Sequence, residues 1–284
     1  MIFAHKKPSL PLISLILLLL STPPAHAQHE GWYQVEMIVV ARKDDAGQEH
    51  WPNNIKLRYP GDWVELKDPN TSSDGNTETS VDLTKEAFYL LPSSERQLNA
   101  QAQKLQRNSR FDVLFHNAWR QVITNKKTSK AILISGGQTF GQHQTLEGSI
   151  RLSVATYLEL QTNLWLAQFD LNVGQEITRA WPEIPLRPNY SMTGLRNLSL
   201  DSEVEAELER ALATESTQWT IGGLENNTTT PTSDNYVTRQ IILLQQERDM
   251  RSNEVHYIDH PALNVIIQVT PYSPTPIAAE EATQ

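Results

Sequence analysis

From Ile150 to Leu160 an apolar or β-branched side chain stands at every second position: Ile150, Leu152, Val154, Thr156, Leu158 and Leu160. A period of two places all six on one face of an extended chain and excludes a helix, where apolar residues recur every three or four. A strand of this kind must cover one face against a core, so the chain needs a sheet. The pattern reads as one long half-exposed strand, with Asn163 turning the chain into a partner from Leu164 to Val173. Further strands are legible elsewhere. Trp32 to Val40 is β-branched and aromatic, Phe111, Val113 and Phe115 alternate, and Ala131 to Ile134 is a short apolar run closed by a Gly136-Gly137 turn. Tyr236 to about Arg251 is another strand, and Leu263, Val265, Ile267 and Val269 form the core face of the last. Ser252 to Ala262 would then be a hairpin connection between those two strands.

Two segments carry helical spacing. Ser94 and Gln97 have the spacing of a capping box ahead of Leu98, Ala102 and Leu105, and Ser202 and Glu205 have it ahead of Val204, Leu208, Ala211 and Leu212. Strands adjacent in sequence with two main helices predict an α+β fold: a mostly antiparallel sheet ending in a C-terminal β-hairpin. Residues 28–272 form this single domain, with mobile loops over 68–82 and 222–235 and a disordered tail over 273–284, all poor in apolar periodicity.

The compartment is read from residues 1–27. His5, Lys6 and Lys7 precede an apolar run from Leu10 to Leu20, and Ala25-His26-Ala27 offers a small-x-small cleavage site. This is the form of a secretory signal peptide, and the run is short for a spanning helix, which needs about 20 apolar residues. Cleavage leaves a mature protein in a periplasm, with no later segment apolar enough to cross a bilayer. The chain has no cysteine, which excludes disulfides and a lipid-modified cysteine anchor. Losing Lys6 and Lys7 leaves 22 basic against 33 acidic residues, a formal charge of −11. Nucleic acid is therefore not an expected partner, since that affinity comes largely from cations on phosphates.

No Gly-x-Ser-x-Gly elbow, phosphate-cradling loop or His-Glu-x-x-His motif is present, so no catalytic residue is assigned and no cofactor is implied. Ionisable residues crowd instead into Arg248 to Pro261. The candidate ligand-binding residues are Arg248, Arg251, Glu254, His256, Tyr257, Asp259 and His260, with His116 and Trp119 from the Phe111 strand. His256, Asp259, His260 and His116 are suitable zinc ligands. In an extended chain, however, His256 and His260 lie about 13 Å apart, too far for one ion, and no metal site is assigned. The alternative is a rigid polar loop: Asp259 accepting backbone N–H groups in an Asx-turn before Pro261, and Arg248 or Arg251 paired with Glu254. Seven tryptophans could supply a sugar-stacking platform, although most such residues pack in cores.

Several segments resemble one known family in order. They are Trp32-Tyr-Gln-Val-Glu-Met-Ile-Val-Val, Glu49-His-Trp-Pro52, Leu114-Phe-His-Asn-Ala-Trp-Arg-Gln121, Leu146-Glu-Gly-Ser-Ile150 and Met250-Arg-Ser-Asn-Glu-Val-His-Tyr-Ile-Asp-His-Pro261. Together they resemble the CsiV family of periplasmic peptidoglycan-binding proteins. The chain departs from that family's pattern at Asp249, where arginine is common, at Glu159, where histidine is, and at Asn264, where glycine is. The resemblance implies no enzyme activity. It implies binding to peptidoglycan, and support of an outer-membrane lipoprotein that activates a bifunctional peptidoglycan synthase. Two other functions compete with it: a metal-dependent wall hydrolase using His116, His256, Asp259 and His260, and an interaction scaffold without glycan affinity.

Overall fold

The computed structural model describes residues 29–43, 51–71, 81–176, 179–189 and 235–274. Within them, β1 (Gly31–Arg42), β3 (Phe111–Ile123), β8 (Val255–Ile258) and β9 (Leu263–Pro271) form an antiparallel sheet in the order β3-β1-β9-β8. A second sheet has the order β2-β4-β5-β6-β7, from β2 (Trp63–Val64), β4 (Ala131–Phe140), β5 (His143–Val154), β6 (Leu158–Leu171) and β7 (Tyr236–Met250). Its pairings are antiparallel except the two-residue contact of β2 with β4.

The inner faces of the two sheets share one core. Val35, Met37 and Val39 of β1 and Val265, Ile267 and Val269 of β9 meet Ile150, Leu152, Leu160, Leu164 and Leu244 of the other sheet. The outer face of the four-stranded sheet is covered by helix α1 (Asn99–Arg107), through Ile38, Val40, Leu98 and Ala102. This explains why Met37-Ile38-Val39-Val40 is apolar without alternation: both faces of β1 are buried. The outer face of the five-stranded sheet is covered in part, where Ile55, Leu57, Tyr59, Trp181 and Ile184 pack on Trp165, Ala167 and Ile241.

Several expectations change. The long alternating run is two strands, since the chain turns at Ala155–Tyr157, not at Asn163. Val154 and Leu158 face each other across that turn, so a three-residue loop preserves the alternation and hides itself in the pattern. The C-terminal hairpin joins β8 to β9; β7 pairs with β6 in the other sheet, so Ser252 to Ala262 is not a loop between β7 and β9 but a crossover that includes an edge strand. Gly136 and Gly137 are not a turn but lie inside β4, where the register slips; position 136 has no room for a side chain, since a Cβ there would meet the Leu114 carbonyl oxygen at 2.0 Å. Among the described residues the fold is mostly β with one α-helix in place of two. Ser94 belongs to a 3-10 turn (Ser93–Glu95), and the residue capping α1 is Leu98. The segment 1–27, the helix from Ser202, residues 222–234, the tail from 275 and most of the 68–82 loop lie outside the described residues.

Candidate functional site

β3 carries the first group of predicted site residues, and it turns them inward. Trp119 is fully buried and donates its indole N–H to Gln121 Oε1 at 2.7 Å, so it packs the core and meets no surface ligand. Arg120 is also buried, forming an ion pair with Glu95, donating to the Leu83 carbonyl and lying 4.2 Å from the Tyr272 ring centroid. His116 Nε2 lies 2.8 Å from Glu36 Oε1, and the same carboxylate accepts the backbone N–H groups of Gln97 and Leu98. Glu36, 3 % exposed, therefore ties β1, β3 and the approach to α1 together, with its negative charge at the helix N-terminus. Its one sequence signal was a lone acid inside an apolar strand.

The C-terminal block is built as a pinned crossover. β7 ends at Met250, Asn253 takes a left-handed φ of 65°, and its N–H bonds the Val269 carbonyl at 2.8 Å. Asparagine is one of the few side chains that tolerate this conformation. His256 Nε2 lies 3.1 Å from the Arg251 N–H and 3.0 Å from its carbonyl, closing the crossover on itself. Asp259 pairs with Arg42 at 2.9 Å and makes no Asx-turn; His260 does the equivalent work, its Nδ1 accepting the N–H groups of Ala262 and Leu263 at 3.3 Å. His260 also stacks on Trp51, ring centroids 5.2 Å apart, and its own N–H bonds Asn264 Oδ1. Asn264 is fully buried, and its amide nitrogen has no partner among the described residues.

Each histidine thus has its own internal task, and among the described residues no three His, Asp or Glu side chains gather as metal ligands. Arg248, Arg251, Glu254 and Tyr257 remain exposed. Arg251 reaches Glu254 only at 3.9 Å, and Arg248 makes no ion pair or hydrogen bond with the described residues.

A larger feature lies on the outer face of the five-stranded sheet, beyond the part that Tyr59 and Trp181 cover. It is an open groove of about 1270 Å³ between the segment from Ile55 to Pro60 and the edge strand β7. The strand register arranges its floor in two rows: Ser149, Asn163 and Gln245 stand side by side across β5, β6 and β7, and Arg151, Gln161 and Glu247 form the next. Several of these side chains are fixed. Arg151 grips Asp62 through two bonds of 2.7 Å and holds that carboxyl below its ordinary range; Asn163 Nδ2 donates to the Arg58 carbonyl at 3.0 Å. Gln161 donates to Glu159 and Glu247, and Lys126 bridges those two acids. That hydrogen bond from Lys126 holds the Glu247 carboxyl low. Glu159 and Asp249, two of the three departures from the family pattern, face each other across β6 and β7 just beyond these rows. The floor was readable as the polar half of the β6 alternation, although nothing local marks which polar faces stay uncovered.

Fold and surface together define a two-sheet β domain with an open groove on one outer face, its lining mixing side-chain amides with apolar residues. The chain belongs to the CsiV family, described as "Peptidoglycan-binding protein, CsiV", which it matches over residues 11–272. No curated protein and no solved structure matches it.

Proposed function

We propose that this chain is a non-enzymatic, periplasmic peptidoglycan-binding accessory protein, delivered by a cleaved signal peptide over residues 1–27. In this reading it supports an outer-membrane lipoprotein activator of a bifunctional peptidoglycan synthase, and through it wall assembly and cell shape. The observation that carries the reading is the family match across residues 11–272, whose description names binding and no reaction. The separation of His116, His256 and His260 into unrelated hydrogen bonds favours binding over metal-dependent hydrolysis. Among the described residues no helix is long and apolar enough to cross a membrane.

In the C-terminal block the exposed Arg248, Arg251 and Tyr257 are the proposed wall contacts, since arginine binds carboxylates bidentately. Glu254, His256, Asp259 and His260 hold the crossover in shape. Sedimentation of the purified protein with isolated sacculi, across a salt series, tests the reading. Retention that weakens with salt is expected, and a protein that stays in the supernatant at low salt overturns it. Arg251→Ala combined with Tyr257→Ala measures the block's share: retention should fall, and undiminished retention by the folded double variant removes the block from the binding surface.

A further inference from the structure

The uncovered part of the five-stranded sheet has a chemistry of its own. Trp165 lies in the covered part and Tyr59 and Trp181 help to cover it, and none of the three lines the groove. Its floor carries side-chain amides and a hydroxyl beside the Arg151 and Glu247 charges, in rows about 4.8 Å apart between strands and about 7 Å apart along them. The amide and hydroxyl atoms of Ser149, Asn163 and Gln245 match acetamido and hydroxyl groups, while Ile55, Leu57 and Leu243 in the same lining offer apolar contact to the C–H faces of sugar rings. The volume, about 1270 Å³, exceeds the ~300–1,000 Å³ usual for a single small molecule, and the groove is open along its length. An extended polymer fits it better than a monomer.

The charges point the same way. In the segment flanking the floor, Ile55, Leu57 and Tyr59 pack inward while Lys56 and Arg58 project outward, and neither cation has an ion-pair partner among the described residues. Arg151 is neutralised by Asp62, whereas Lys126 is shared by Glu159 and Glu247 and leaves that end of the floor acidic. Glu183 lies at the rim on the side of the covering segment, away from the Glu159 and Glu247 pair that shares Lys126. Two cations without an ion-pair partner among the described residues, in a chain of net charge −9, are a local exception, placed where they can meet carboxylates carried on a polymer. A peptide recognised by a sheet usually adds to an exposed edge through its backbone, with pockets for alternate side chains. Although β7 is an edge strand, the amide rows of Asn163, Gln161 and Gln245 stand on the sheet face and form no pockets for alternate side chains, which favours a saccharide.

We infer that this groove is a glycan site: it takes an N-acetylated hexosamine chain across Asn163, Gln161 and Gln245, with pendant carboxylates against Lys56 and Arg58. The inference rests on the wall-binding reading and assigns its main contact to a surface away from the C-terminal block.

The cysteine-free chain makes a direct test possible. Gln245→Cys supplies a sole thiol in the groove, and Val173→Cys a sole thiol on a distant turn, 81 % exposed. With sacculi or peptide-free glycan chains present, maleimide labelling of Gln245→Cys should slow at least fivefold while Val173→Cys is unaffected. Lys56→Glu combined with Arg58→Glu should lower retention on sacculi at least tenfold, with an unchanged circular dichroism spectrum. Wild-type protein that ignores sacculi overturns the wall-binding reading and this inference together. Wild-type retention with unprotected Gln245→Cys and full retention of the charge-reversed variant overturns the glycan site alone. Protection by soluble stem peptide but not by peptide-free glycan also overturns it.

Discussion

Glu36→Ala tests whether one buried carboxylate joins three elements of the fold. Glu36 is 3 % exposed and accepts from Gln97 N–H, from Leu98 N–H at 3.0 Å and from His116 Nε2 at 2.8 Å. Truncation removes all three acceptor contacts and strands two backbone donors, each carrying a penalty of about 1–3 kcal/mol when buried without a partner. His116 retains some access to water, its side chain being 15 % exposed, so its share is the smallest. Breaking a buried charged contact from one side costs about 3–5 kcal/mol, and the middle of that range, about 4 kcal/mol, is expected here. For a domain of this size that lowers Tm by about 8–16 °C. Glu36→Gln keeps one acceptor oxygen but turns an amide donor toward other donors, and should lose about 2 kcal/mol. Calorimetry and urea unfolding read both values, and amide exchange in α1 should accelerate in the alanine variant. A loss under about 1 kcal/mol for Glu36→Ala, at an unchanged urea slope, would refute the role assigned to this carboxylate.

Gly148→Ala should lose about 3–5 kcal/mol, because a Cβ there meets the Asn163 carbonyl oxygen at 2.2 Å and the backbone sits at φ 132°. Gly174→Ala, at φ 78° with open space around it, should lose only about 1 kcal/mol, and equal thermal shifts for the two variants would dismiss the close approach as the cause. The Arg151 fork holds the Asp62 carboxyl below its ordinary 3.8, so this pair's stabilisation is present above pH 3.8 and is lost as pH falls through the lower folded value. Asp62 is about half exposed, so the gap between wild type and Asp62→Asn should be under about 1 kcal/mol at neutral pH. It should close in strong acid, and a pH-independent gap in urea midpoints would contradict the assignment.

Period-two patterns recovered the strands well. β7 was read as Tyr236 to about Arg251 and runs Tyr236–Met250; the β9 core face was read as Leu263, Val265, Ile267 and Val269, all of them buried. The same rule failed at Ala155–Tyr157, since a turn that keeps parity leaves the alternation intact. It failed again at the C-terminus, where two strands adjacent in sequence joined different sheets. Pairing partners are chosen by long-range packing, and no local pattern carries that choice. The capping box at Ser94 was a plausible local signal displaced by Glu36, an acceptor from a distant strand.

The candidate site divides in the same way. The crowding at 248–261 and the family match over residues 11–272 are properties of the linear chain. Which of those side chains reach solvent is not, because burial depends on what the fold lays beside them. His116 and Trp119 look like surface chemistry in sequence, yet β3 turns one onto Glu36 and the other into the core. Gln161, Asn163 and Gln245 look like the unremarked polar side of two strands. They became one surface because β6 and β7 pair in register over more than eighty residues of separation, and because among the described residues the covering segment from Ile55 to Pro60 leaves that face open. Side-chain chemistry and strand period belong to the sequence; adjacency and exposure arise only when the sheets close over their shared core.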